Sequence, residues 1–265
     1  MVGVNKMFDI KGFYSAFRFE WSADFIFSGE RHDFWEVVFV EHGRVEATED
    51  ENIYLIDENN VIIHAPMEFH SIHSAEGTCP KGYIITFEVS GELPPELKNG
   101  IFTLSESERE EYIKICRKVI NYHSLESCPS LYQGQEVTSL LSAFLIKLAQ
   151  NTAHNRLSMG NGATEYKKLV SEMNAHVCDN YMLCDFASEC NMSVSYIKLL
   201  FKRYANVSPK SYYAQLRADL AAQMLSDGLS VSEVSEKMNF SSPGYFTVFF
   251  KRHFGINPLE YQKKG

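Results

Sequence analysis

Ser193-Val194-Ser195-Tyr196-Ile197-Lys198-Leu199-Leu200-Phe201-Lys202-Arg203 recurs further along the chain as Ser242-Pro243-Gly244-Tyr245-Phe246-Thr247-Val248-Phe249-Phe250-Lys251-Arg252. Both copies share a frame of Ser, Tyr, paired apolar residues and Phe-Lys-Arg or Phe-Phe-Lys-Arg. Each is followed by an apolar residue, Pro and Tyr: Val207, Pro209, Tyr212 in one and Ile256, Pro258, Tyr261 in the other. A motif repeated in one chain is one supersecondary unit used twice. Ahead of each copy lies a short helical pattern, Leu183, Phe186, Ala187, Cys190 and then Val231, Val234, Ser235, Met238. Each pattern ends at an Asn, Asn191 or Asn239, which tolerates the left-handed backbone of a sharp helix exit. Ser193 and Ser242 then serve as N-caps, with Pro243 suited to the first helical position. Helix, tight turn and capped helix is a helix-turn-helix, here present twice.

The second helix of each copy divides into two faces. Tyr196, Ile197, Leu200 and Phe201, and likewise Tyr245, Phe246, Phe249 and Phe250, are expected to pack inward. Val194, Ser195, Lys198, Leu199 and Lys202, with Pro243, Gly244, Thr247, Val248 and Lys251, are left to face double-stranded DNA, alongside the caps Ser193 and Ser242. An exposed helix face of small residues and Lys fits a major groove and its phosphates. Ser208-Pro209 opens a long helix running to about Ser226. At 1.5 Å per residue that helix spans roughly 27 Å, near the ~34 Å turn of B-DNA that separates two reading helices.

Residues 164–265 resemble the DNA-binding domain of the AraC/XylS family of bacterial transcription regulators. The resemblance is carried by Leu183, Asn191-Met192-Ser193, Tyr196, Leu200-Phe201-Lys202, Arg217, Ala221, Leu225, Asn239-Phe240, Tyr245-Phe246, Phe249-Phe250-Lys251, Gly255, Pro258 and Tyr261. The chain departs from that pattern at Leu199 and Val248, where the family often has Arg, and at Asn239, where it usually has Gly. Without those Arg forks, readout is expected to lean on Ser195, Lys198, Thr247, thymine methyls and DNA shape.

The formal net charge of -9 divides unevenly. Residues 1–163 hold 13 Lys and Arg against 24 Asp and Glu, whereas residues 164–265 hold 12 against 10. Positive charge therefore lies where DNA is expected. The six Cys form no C-x-x-C and no zinc-finger spacing, which reads as buried, reduced thiols in a cytoplasmic protein. No secretory leader pattern opens the chain, and the longest apolar stretch, residues 140–149, is too short for a bilayer. No membrane partner is expected.

Residues 10–90 alternate strand-like and turn-like segments: 34–40, 45–48, 61–63 and 83–89, with turns at 41–43 and 57–60. Such spacing suggests a sandwich or barrel. The resemblance implies a cupin-like barrel, and His32, Glu36 and Gly43 follow half of the cupin pattern, with Pro66 to His70 akin to the other half. If Glu30, His32, Phe34 and Glu36 shared one strand, they would share one face, with His70 arriving from another. The metal pattern is incomplete, since Glu30 stands where a first His belongs. Neither a metal nor a cofactor is expected, and the polar patch is read instead as a seat for a small polar effector. The expected effector residues are Trp21, His32, Glu36, His70 and Tyr83.

A capping box at Ser105 and Glu108 opens a helical segment. Tyr112, Ile115, Cys116, Val119 and Ile120 form one apolar stripe, and Val137 with Leu140, Leu141, Phe144, Leu145 and Leu148 another. Helices at this position pair subunits in the family that the chain resembles, so Leu140, Leu141, Phe144, Leu145 and Leu148 are expected to form a homodimer. The organisation read from the sequence is α+β with two domains. A cupin-like barrel occupies 1–100, dimerisation helices 101–150, a linker 151–163, and an all-α double helix-turn-helix domain 164–265. The resemblance implies a non-enzymatic, effector-responsive regulator, activator or repressor, that engages RNA polymerase, with a sugar or glycoside as effector. A cupin metal enzyme with a DNA-binding appendage, or a constitutive regulator with an empty barrel, are the alternatives.

Overall fold

The computed structural model describes residues 6–98, 100–124, 130–150 and 161–263, the side chains of 161–163 excepted. The chain divides into two compact units at Met159 and Gly160. The linker expected over 151–163 lies outside the described residues up to 160, and helix already begins at Asn161.

The first unit contains β1 (Phe8–Glu20), β2 (Ile26–Glu30), β3 (Trp35–His42), β4 (Val45–Glu49), β5 (Asn52–Ile56), β6 (Asn60–His64), β7 (His70–Ser74), β8 (Lys81–Gly91) and β9 (Ile101–Thr103). Two helices follow, α1 (Glu106–His123) and α2 (Leu131–Gln150). The strands form two antiparallel sheets, ordered β1-β8-β3-β6-β9 and β2-β7-β4-β5. The β-branched runs Val37–Val40 and Val61–Ile63 form the centre of the larger sheet, where both faces are buried. Its alternation sorts side chains to two cores. Val38, Val40, Ile62 and Ile84 meet Val45, Ala47, Tyr54, Ile56 and Ile72 of the smaller sheet. Val37, Phe39, Val61, Ile63, Tyr83, Ile85 and Phe87 point the other way, onto α1 and α2. The Ser105–Glu108 capping box is formed, and the expected α1 stripe is buried from Tyr112 to Val119.

The dimerisation stripe needs correction. Leu141, Phe144, Leu145 and Leu148 are at most 1% exposed, packed in the core that α1 and α2 share with the larger sheet. That sheet offers an apolar face which must be covered, and α2 covers it. Leu140 alone of the five is exposed, together with Leu131, Tyr132 and Ile146 on the outer side of α2.

The second unit is helical: α3 (Asn161–Ala175), α4 (Leu183–Glu189), α5 (Val194–Tyr204), α6 (Pro209–Ser226), α7 (Val231–Lys237), α8 (Pro243–Phe254) and α9 (Pro258–Gln262). α6 is buried on nearly every side and acts as its spine. Tyr212 and Tyr213 pack their rings on Phe201 and Phe186 of the first helix-turn-helix. Ala221, Ala222 and Leu225 pack on Val234, Met238, Phe246 and Phe250 of the second. Arg217, 5% exposed, donates from Nη2 to the Met238 carbonyl at 2.5 Å and lies over the Phe240 ring. Of the described Cys, Cys116 and Cys190 are buried as expected, while Cys79 and Cys184 are exposed; Cys128 lies outside the described residues. Among the described residues no helix is long and apolar enough to cross a membrane.

Candidate DNA interface and sensor site

Asn191 and Asn239 take the left-handed conformation that the turns require, with φ of 56° and 53°. Ser193 Oγ then accepts from the Tyr196 amide at 3.1 Å, and Ser242 Oγ from the Tyr245 amide at 3.2 Å. The two caps start α5 and α8 immediately after the turns. α5 buries Ile197, Leu200 and Phe201 and leaves Ser195, Lys198, Leu199 and Lys202 exposed, with Val194 half-buried. α8 buries Phe246 and Phe250 and exposes Pro243, Gly244, Val248 and Lys251. Among the described residues, Lys198, Lys202 and Lys251 make no ion pair. Leu199 and Val248, where an Arg is usual, are 58% and 69% exposed, an apolar cost accepted on a face that water alone would not favour.

Two assignments change. Tyr245, expected inward, is 61% exposed and lines a cleft of about 810 Å³ together with Lys198, Lys202, Lys210 and Tyr213. Tyr196 is half-buried and donates its hydroxyl to Glu165 of α3. Thr247, expected outward, is half-buried and its hydroxyl donates to the Pro243 carbonyl at 2.8 Å. The apolar spacing in the sequence missed this because Tyr serves equally at a core or a wet edge.

In the sensor unit, strand register brings distant polar residues to one end of both sheets. In the smaller sheet His70 lies between Glu30 on β2 and Glu49 on β4. In the larger, Glu36 on β3 faces His64 on β6. β2 ends at Glu30 and β3 starts at Trp35, so Glu30, His32, Phe34 and Glu36 do not share a strand as expected. A loop carries His32 instead. The loop is held by the Met67 amide donating to the His32 carbonyl, and by Arg31, which bonds the Met67 carbonyl and Asp50. Gly29, at φ +80°, lies where a Cβ would meet Phe69 at 2.5 Å, so only glycine fits this bulged pairing.

His70 Nε2 lies 3.6 Å from one Glu36 oxygen and His32 Nε2 4.0 Å from the other. The His32 and His70 rings meet edge-on, and Phe34 stacks on His32 at 3.8 Å. His32, Glu36 and His70 are thus brought together as expected. Trp21 and Tyr83 are not. Tyr83 points onto the helix side of the larger sheet, against Phe39. Trp21 follows Glu20, whose sheet neighbour Lys81 pairs with His42, six positions along β3 from Glu36. At ~3.3 Å per residue that is roughly 20 Å away. Both indole faces are also filled, since Phe19 and Phe25 stack on it at 3.8 and 4.2 Å.

Burial, with the Glu30 carboxylate adding to it, pushes Glu36 up to about 8. Burial pulls His64 down to about 3 and His70 and His32 below the ordinary imidazole value. The close His–Glu approaches are therefore contacts between neutral groups at neutral pH. Because the folded value of Glu36 is raised, its stabilising contribution is complete below about pH 4.5 and is lost as pH rises through about 8. The depressed histidines act in the opposite sense, but only below about 6.5. Between pH 6.5 and 8, Glu36 is expected to remove about 2 kcal/mol from the stability of the sensor unit. Urea unfolding followed by tryptophan fluorescence measures this, and Glu36→Gln should flatten the dependence by that amount. An identical pH dependence in the variant would show that Glu36 ionises normally.

Among the described residues two groups have donor atoms close enough for a metal: Glu30, His32 and His70, and Glu49, His64 and Glu68.

The profile of the AraC-like ligand-binding domain matches residues 13–160, and that of a helix-turn-helix domain matches residues 186–264. The uncharacterized HTH-type transcriptional regulator YidL of Escherichia coli is 25% identical over 205 residues, covering 76% of this chain and 65% of that protein. This chain thus spans just under two thirds of the length of YidL. The HTH-type transcriptional activator RhaR of Mannheimia succiniciproducens is 21% identical over 239 residues, covering 88% of this chain and 86% of that one. Among solved structures, ToxT from Vibrio cholerae covers 97% of this chain and 98% of its own, at 14% identity and a TM-score of 0.38. With a ligand-binding profile over more than half its length and the paired helix-turn-helix behind it, the chain belongs to the AraC family of transcriptional regulators.

Proposed function

We propose that this protein is a cytoplasmic, non-enzymatic transcription activator that binds two adjacent major grooves with α5 and α8 and answers to a small hydroxyl-rich effector such as a sugar or glycoside. The two capped helices with unpaired lysines and exposed apolar tips carry the DNA reading. Ser195, Lys198, Leu199, Gly244, Tyr245 and Val248 form the base-reading surface; Lys202 and Lys251 take phosphates. Neutral imidazoles beside a protonated carboxyl offer both donors and acceptors, which suits hydroxyl groups better than ions. The effector seat is His32, Glu36 and His70. Binding must favour one arrangement of the regulator over another, or nothing is switched.

The active form in this reading is a homodimer paired through the outer side of α2, where Leu131, Tyr132, Leu140 and Ile146 are exposed. It meets RNA polymerase beside its DNA site. Footprinting on genomic fragments tests the whole. Paired protections one helical turn apart, whose strength changes with added sugars, are expected. Salt-sensitive binding with no discrete footprint would end the proposal of sequence-specific reading.

A further inference from the structure

We propose that Glu49, His64 and Glu68 hold a divalent transition-metal ion of the zinc class. Glu49 ends β4, His64 ends β6, and Glu68 lies in the turn leading to β7. The three are far apart in sequence and are gathered only by the two sheets. One donor atom from each lies within 4.8 Å of the others, and all three residues are buried.

Their hydrogen bonding is what needs explaining. Both Glu49 oxygens and His64 Nδ1 are out of contact with water and have no hydrogen-bond partner. His64 Nδ1 comes 2.8 Å from Glu49 Oε1, yet without the alignment of a hydrogen bond. Buried polar groups left unmet in this way are costly, and native proteins rarely keep them. An ion between them turns each lone pair into a ligand bond. Two carboxylates and a neutral imidazole also supply the two negative charges that balance a divalent cation. A mixed nitrogen and oxygen set suits zinc and its first-row neighbours better than calcium or magnesium, which favour all-oxygen shells.

The support around the donors fits this role. The Ala65 amide donates to Glu68 Oε2 at 2.9 Å and orients that carboxylate, as outer partners of metal ligands do. The His64 ring stacks on His70 at 4.3 Å, which fixes its plane. Metal bonds of about 2.0–2.2 Å require the donors to draw together, and rotation of the two Glu side chains supplies that movement while the strands stay in register. Three protein ligands leave a further position open. This site adjoins the effector seat at His32, Glu36 and His70, touching it where His64 stacks on His70, but shares no donor residue with it.

The test uses the full-length protein, stripped with chelator and titrated with zinc by calorimetry, with cobalt as a spectroscopic substitute. One equivalent is expected to bind, raising the melting temperature. Glu49→Gln and Glu68→Gln, both near-isosteric, should each weaken binding about a hundredfold and abolish the thermal shift. His32→Gln should leave zinc affinity within about threefold of the parent, because no donor of the site is lost. Failure to bind zinc overturns the proposal, as does affinity unchanged in both Glu variants. Loss on His32→Gln with retention in Glu49→Gln places the ion on Glu30, His32 and His70 and also overturns it. A thiolate-to-cobalt absorption band does the same by placing the ion on cysteine. If metal-free Glu49→Gln does not melt as the parent does, Glu68→Gln decides the outcome.

Discussion

Arg217→Ala is expected to destabilise the C-terminal unit by about 3 kcal/mol and to abolish DNA binding. The guanidinium sits inside the domain at 5% exposure, where burial lowers its proton affinity. It remains because its Nη2 donates to the carbonyl of Met238 and its plane covers Phe240 at 4.9 Å. Met238 closes α7 directly ahead of Asn239, so the bond holds the turn that aims α8. Truncation leaves a buried carbonyl unmet and a void beside Phe240. A charged hydrogen bond is worth roughly 1.5–3 kcal/mol and the ring contact about 1 more. Arg217→Lys should recover little, since an ammonium neither forks nor stacks as a guanidinium does. Trp21 and Trp35 both lie in the first unit, so fluorescence reports that unit alone, whereas helical circular dichroism is weighted towards the second, which holds α3 to α9 against α1 and α2 of the first. The larger part of the dichroism transition in urea should move, while the fluorescence transition, and the part of the dichroism from α1 and α2, stays. If both move together, or neither by more than about 0.5 kcal/mol, Arg217 does not carry the turn.

Replacing Lys202 and Lys251 together by Ala is expected to weaken binding to every DNA sequence alike. Each lies in the last turn of its reading helix, exposed and with no ion pair among the described residues. Each neutralised phosphate contributes about 0.9 to the slope of log affinity against log salt. Loss of two should flatten that slope by about two, so that between 50 and 200 mM salt the variant loses roughly tenfold less affinity than the parent. The unit is only weakly basic, with 12 Lys and Arg against 10 Asp and Glu over residues 164–265, so two contacts form a large share of its attraction. Fluorescence anisotropy on specific and scrambled duplexes gives both numbers. An unchanged slope would mean that these lysines point away from the backbone. Lys198→Ala lies on the cleft with Tyr245 and should change sequence preference instead.

The helix-turn-helix pair was legible because its signals are local. Caps, left-handed Asn and apolar spacing act within one or two turns of helix, and each was found where the residues placed it. The exit at Ser226 was legible for the same reason. The rotation of α8 was not, because Tyr245 and Thr247 fit either face by polarity, and contact with α7 and α9 chose between them. The stripe on α2 marked an apolar face without saying what covers it. An edge of the larger sheet could not be counted from sequence, so a face used within the protomer read as one left for a partner.

His32, Glu36 and His70 were found through spacing that resembles the cupin pattern. Glu49, His64 and Glu68 were not found, because no local pattern links them. By itself the sequence determined the fold class, the two helix-turn-helix units and their family, since these rest on short-range propensity and repetition. Only the tertiary structure decided which polar side chains meet at the end of the two sheets. Register between strands far apart in the chain sets that meeting, and a shift of one residue would turn every one of them to the opposite face.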